Sequence, residues 1–236
     1  GNVGNDEYTL NGNLEKIQFY TQLADGDGVG SGTVIYDNVA FIGGAVEAST
    51  PGGEGGVGEE DGGEEGDTGE GEGFGPTENE VALQEGQTYK EINGFENATG
   101  VVWGVVPDRN ITGDFAETGM ANGGKSYRFT FSSGDENAII YPTVSPDNDI
   151  GGNWKGAREW QFYVENTGST KLQINAVKYF TKANGGCNLK KSATVLFYNL
   201  NDQKWYNLKV ADGYNTAYYG VEIPAGAKGF VRIALN

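Results

Sequence analysis

The sequence predicts an all-β sandwich. Three observations lead there. Short stretches of strict apolar/polar alternation recur along the chain, separated by turn-forming residues. The composition is rich in Gly (40 of 236 residues) and in aromatics (12%, with 13 Tyr), which suits many turns and half-buried strands. No stretch carries a convincing helical period, and many short alternating strands mean a sandwich or barrel.

In chain order, residues 1–12 are polar and lead into the first strand. In 16–22, Ile17 and Phe19 point one way and Lys16, Gln18 and Tyr20 the other. In 33–42, Ile35, Val39 and Phe41 share one face, with Asp37 on the same parity. The intervening DGDGVGSG is a loop by composition. Two strands cannot stand alone in water, so this pair must pack on something further along the chain. Strands follow at 89–96 and 101–106, then a polar loop through 108–113. Residues 126–131 alternate cleanly, and 138–144 follow. After the turn-rich SPDNDIGGNWKG, residues 158–165 place Trp160, Phe162 and Val164 on one face, with Tyr163 on the other. NTGST reads as a hairpin turn leading to 171–180. Residues 193–198 and 205–210 pair about NLNDQK, and 218–223 and 229–235 finish the chain.

Between the first strand pair and the rest, the composition changes abruptly. From Gly44 to Glu80 there are 12 acidic residues and no Lys or Arg. Such a Gly/Glu tract has almost nothing to bury and repels itself, so it is expected to be disordered. Flexible-coil scaling gives it a span of about 33 Å. The chain therefore divides into a strand pair (1–43), an acidic linker (44–80) and a main sandwich (81–236). The linker carries most of the net charge of −17; the remainder holds 21 acidic against 16 basic residues. That balance argues against nucleic acid, which needs a basic face. No run of 18 apolar residues suggests a membrane span.

Histidine is absent, which removes Ser-His and Cys-His nucleophile systems and His-based metal sites. Cys187 is the single cysteine and has no disulfide partner within the chain; in its GGCN setting it reads as a small apolar filler. A glycosidase would need two carboxylates across a cleft. Glu159, Glu165 and Glu222 lie on predicted strands, but nothing pairs them, so a non-catalytic protein is expected.

The segments NGFEN, GGKSYRFTFSS, WKGAREWQFYVENTGSTKLQINAVKYF and IPAGAKGFVRI, in that order, resemble the β-jelly-roll domains of carbohydrate-binding modules of secreted bacterial polysaccharide-degrading proteins. The resemblance covers most of residues 88–236. It implies a jelly-roll sandwich and an extracellular or cell-surface location; no signal peptide is visible, as expected of a processed chain. In that family two further strands normally follow the segment resembling IPAGAKGFVRIAL. Here LEKIQFYTQ and TVIYDNVAFI, at 14–42, look like them, so the order reads as permuted. Ile17, Phe19, Ile35, Val39 and Phe41 would then complete the sandwich, in cis or in trans. Completion in trans would be head to tail and would build a ring or filament. The other reading is that 1–43 ends a preceding tandem module; the open edges and exposed core faces this would leave favour complementation.

The resemblance also implies sugar binding by exposed aromatics with amides and Arg beside them. The candidates are Trp103, Trp154, Tyr163, Asn175, Tyr179, Trp205, Tyr214, Tyr218 and Tyr219. Trp160, on the parity of Phe162, belongs to the core. Tyr163, Gln173, Asn175 and Tyr179 are expected to share the polar face of neighbouring strands, which is also the composition of an ordinary solvated face or a Tyr-rich interface. A structural Ca²⁺ held by oxygen ligands is implied near Asp37 and Glu96. The expected partner is a polysaccharide or oligosaccharide. The rival expectation is a structural subunit of an extracellular filament, with copies of the chain joined through residues 13–43.

Overall fold

Residues 14–23, 30–44, 86–96, 101–105, 111–119, 124–133, 139–146, 156–181, 189–212 and 219–235 are described by a computed structural model. Most of the predicted linker, and the disorder expected of it, lies outside them. Among the described residues there is no helix, and therefore none long and apolar enough to cross a membrane.

The first strand, β1 (Leu14–Leu23), follows its alternation. Ile17, Phe19, Thr21 and Leu23 are buried, while Gln18, Tyr20 and Gln22 are half-buried on the other face. The second, β2 (Gly30–Gly44), is long. Then come β3 (Gln87–Asn93), β4 (Val101–Val105), β5 (Ile111–Gly119), β6 (Lys125–Ser133), β7 (Ile140–Val144), β8 (Ala157–Asn166) and β9 (Leu172–Thr181). The chain closes with β10 (Val195–Asn199), β11 (Lys204–Asn207), β12 (Ala211–Asp212), β13 (Tyr219–Ile223) and β14 (Lys228–Ala234).

Among the described residues all pairings are antiparallel and form two sheets. A six-stranded sheet runs β12-β13-β9-β1-β7-β4, and an eight-stranded sheet runs β11-β10-β14-β8-β2-β6-β5 with β3 also on β2. They pack face to face as the β-sandwich that the alternation predicts. The N-terminal strands lie inside this sandwich, one in each sheet, and close it within the chain. β1 lies between β9 and β7. β2 has β8 on one side and, in succession, β6 and β3 on the other. The core between the sheets joins Ile17 and Phe19 of β1, Val34, Tyr36, Val39 and Phe41 of β2, and Trp160, Phe162 and Val164 of β8.

A bulge in β2 corrects the expected parity. Asp37 pairs with Tyr163 but Ala40 with Gln161, so β2 carries one residue more than β8 across this step. Asn38 takes the left-handed conformation there (φ 46°), and its N–H donates to Asp37 Oδ1 at 2.6 Å. The extra residue reverses the alternation. Val34 and Tyr36 face the core before it, and Val39 and Phe41 after it. Ile35 therefore does not share their face; it packs outside with Tyr163, Tyr198 and Phe230.

Two further expectations are corrected. NTGST is not a hairpin turn, because β8 and β9 belong to different sheets. It is a corner between sheets, held by the buried Asn166. The Nδ2 of Asn166 donates to the carbonyls of Thr170, Ile223 and Pro224, and its Oδ1 accepts from the Gly168 N–H. The polar loop expected through 108–113 gives way at Ile111 to β5, an edge strand on β6. Its outer residues Thr112 and Asp114 are exposed, so the inward Phe115 is the main apolar cue.

Candidate functional site

The outer face of the six-stranded sheet gathers neutral polar and aromatic side chains at its centre. β1 contributes Gln18, Tyr20 and Gln22, β7 contributes Tyr141 and Thr143, and β9 contributes Gln173. All but the buried Thr143 are half-buried and so remain accessible. Pro142 of β7, lacking an N–H, separates Tyr141 from Thr143. The β1–β7 pairing passes from Gln18↔Thr143 to Thr21↔Ile140 without a pair between them.

The rings of Tyr20 and Tyr141 lie 5.2 Å apart and 19° from parallel. On the neighbouring β4, Gly104 is the register partner of Tyr141, and a Cβ there would stand 2.7 Å from the Tyr141 ring. Glycine thus lets the ring lie over the β4 backbone. The result is an aromatic strip from β1 across β7 to β4. Amides flank it: Gln18 Nε2 donates to Thr143 Oγ1 at 3.0 Å, and Gln22 Nε2 donates to Gln173 Oε1 at 2.8 Å. The Tyr20 hydroxyl donates to Gln18 Oε1 at 3.4 Å. Gln22 Oε1 is left without a hydrogen bond. The arrangement offers ring faces and hydrogen-bonding amides on a rigid sheet.

The outer face of the other sheet is different. Glu159, Gln161, Tyr163, Tyr198, Phe230 and Arg232 are each at most 6% exposed. Arg232 Nε donates to Gln161 Oε1 at 2.9 Å and its Nη1 to Gln87 Oε1 at 3.0 Å, with Glu159 Oε2 at 3.6 Å. The Trp205 ring covers the guanidinium, 5.0 Å from its centroid. Burial pushes the Arg232 guanidinium down to about 10 against the pull of Glu159. Burial likewise raises the Glu159 carboxyl above the ordinary carboxylate range, although Arg232 opposes it. The Tyr163 hydroxyl donates to Glu165 Oε2 at 2.8 Å; burial first, then that bond and the charges of Glu165 and Asp37, hold it well above the usual tyrosine range. This cluster is a closed polar layer rather than an open surface.

Of the expected sugar-binding residues, the four whose side chains are described, Trp103, Tyr163, Trp205 and Tyr219, are not brought together on one face. Trp103, on the edge strand β4, is half-buried and packs against the core. Tyr163 is buried beneath Ile35 and Phe230, on the sheet that does not carry β9, so it shares no face with Asn175 and Tyr179. Those two residues lie on β9, and their side chains fall outside the described residues, as do Trp154, Tyr214 and Tyr218 altogether. Trp205 is half-buried, with Tyr198 5.1 Å from its ring. Tyr219, on β13, has Lys191 Nζ 5.8 Å from its ring.

Asp37 is buried and serves the bulge, and Glu96 is exposed and accepts from the Lys125 N–H at 2.9 Å. Among the described residues no group of three or more His, Cys, Asp or Glu stands together as a metal site.

Sequence reasoning missed Tyr20 and Tyr141 as a pair. Alternation marks Tyr20 as outward, and Tyr141 falls within a predicted strand, but nothing in the sequence shows that β1 and β7 are neighbours. Comparison with known protein families, with curated proteins and with solved structures returns no match.

Proposed function

We propose that the protein is a non-catalytic, extracellular carbohydrate-binding module whose binding surface is the outer face of β1, β7 and β4. One observation supports this most: the Tyr141 ring laid over Gly104, nearly parallel to Tyr20, in an accessible face lined by Gln18, Gln22 and Gln173. A sugar ring has an apolar face that stacks on an aromatic ring and a rim of hydroxyls that pair with amides. Neutral amides and tyrosines match an uncharged polysaccharide, and a rigid sheet limits the ordering cost of binding.

The test is affinity electrophoresis through gels containing soluble β-glucan, xylan, mannan, starch or pectin. The wild type is expected to be retarded by at least one of them. Tyr141→Ala and Tyr20→Ala should weaken that retardation about thirtyfold, the loss of a central aromatic anchor of about 2 kcal/mol. Tyr206→Ala, on β11 of the other sheet, should not change it. Mobility unaffected by every polysaccharide, or retardation indifferent to Tyr20 and Tyr141, contradicts the proposal.

A further inference from the structure

The two N-terminal strands hold the middle of both sheets, yet they join the rest of the main sandwich through a single covalent connection, residues 45–86. Removing β1 would divide the six-stranded sheet into β12-β13-β9 and β7-β4. Removing β2 would separate β11-β10-β14-β8 from β6-β5 and leave β3 without its partner. Each break would expose backbone edges, and the core would lose Phe19, Tyr36, Val39 and Phe41, each at most 1% exposed. Residues 87–235 therefore need a strand pair of this sequence to form a sandwich.

Nothing in the geometry of that gap distinguishes a chain's own residues 14–44 from those of a second copy. Every contact they make with β3, β6, β7, β8 and β9 is non-covalent and would be the same between chains. The balance is set by concentration. A covalent connection of 42 residues holds the cis strands at an effective concentration on the order of millimolar, and a second chain competes only as its own concentration approaches that. Once β1 and β2 are paired on both sides, releasing them means opening both sheets. The choice is then fixed as the chain folds.

We propose that residues 14–44 are a transferable strand pair, and that a second copy of this chain is the partner that fits the gap between β7 and β9 and between β8 and the β6–β3 side. Chains folding at high concentration interlock in dimers or longer runs, and these do not revert to single chains without unfolding. This inference does not depend on the carbohydrate reading.

The test uses register partners on β1 and β9, Gln22 and Gln173, in full-length chains carrying Cys187→Ala. One chain carries Gln22→Cys and the other Gln173→Cys, so a disulfide between these positions can form only between chains. Unfolded together and folded at near-millimolar concentration under oxidising conditions, they are expected to give a covalent dimer whose yield falls at least tenfold on hundredfold dilution. The same two chains, folded separately and then mixed, are expected to give none.

A chain carrying both substitutions should close its disulfide internally when folded dilute, which shows that the geometry permits the bond. Absence of the mixed dimer at every concentration, with the internal bond formed, overturns the proposal; so does equal dimer yield from pre-folded chains. Light scattering of the unsubstituted chain is an independent readout. Masses of two or more chains after concentrated folding support the inference. A mass of 25.1 kDa at every folding concentration overturns it.

Discussion

The ring of Phe19 on β1 stacks on the ring of Tyr36 on β2, with centroids 4.9 Å apart and planes 16° from parallel. The contact joins the central strands of the two sheets across the core. Phe162 of β8 packs on both rings, 4.6 Å from Phe19 and 6.1 Å from Tyr36. The Tyr36 hydroxyl, fully buried, shares a 2.7 Å hydrogen bond with Thr21 of β1. Phe19→Ala is expected to lower stability by about 3–5 kcal/mol, the cost of a large cavity in a rigid core. Tyr36→Phe keeps the ring and is expected to lose about 1 kcal/mol, because Thr21 Oγ1 loses the tyrosine hydroxyl and keeps only the Phe19 carbonyl as a partner. Urea unfolding of each variant measures both.

Asn38 provides the left-handed step that lets β2 face the core correctly at both ends. Asn38→Gly should be tolerated to within about 0.5 kcal/mol, since glycine takes this conformation freely. Asn38→Val should cost about 2 kcal/mol or more, because a β-branched residue resists positive φ. Thermal unfolding of the two variants side by side tests the assignment; equal losses would show that the bulge does not depend on backbone conformation.

β2 and β3 pair as an antiparallel hairpin up to Gly44↔Gln87, so the 42 residues from 45 to 86 connect two positions already side by side. Replacing 45–86 by Asn-Gly, a two-residue turn suited to hairpins, should leave the fold intact. Closing a shorter loop costs less entropy, so the unfolding midpoint should stay the same or rise. A circular dichroism spectrum and melting curve matching the unsubstituted chain are expected, and loss of cooperative unfolding would contradict the hairpin.

Glu159 sets a pH dependence. Its folded-state pKa is raised, burial outweighing the attraction of Arg232, so the native state binds this proton more tightly than the unfolded chain does. Stability then falls as pH rises from the ordinary carboxylate range through the raised value, and recovers on acidification. Glu159→Gln removes the titration. Urea midpoints of wild type and variant between pH 4.5 and 7 should converge or cross in favour of the wild type toward the acidic end. A wild type that loses ground to the variant on acidification would mean that pairing with Arg232 dominates instead.

Much of the fold was legible because period two survives wherever one face is core and the other is polar. β1, β6 and β8 read directly, as did Trp160 in the core. What escaped was non-local or local to a single residue. The parity of Ile35 depended on one extra residue at Asn38, which period counting across 33–42 cannot register. β5 was hidden because an edge strand with one wet face shows little but Phe115. NTGST looked like a hairpin because Asn, Gly and Ser favour any tight change of direction, and only the partners of Asn166 distinguish a corner between sheets. The candidate site was the least legible part. Trp is conspicuous in a sequence, yet Trp103 is half-buried against the core and Trp205 over the Arg232 guanidinium, while Tyr20 and Tyr141 acquire meaning only through strand order.

Native-state hydrogen exchange on the dilute, folded chain tests most directly whether the N-terminal strands are the centre of this sandwich. The backbone amides of Phe19, Val34, Tyr36 and Phe41 are expected among the slowest to exchange, matching the centre of β8 at Phe162 and opening only with global unfolding. Rapid exchange throughout 14–23 and 30–44 alongside protected β8 and β14 would show that residues 87–235 hold together without them, and would contradict the account.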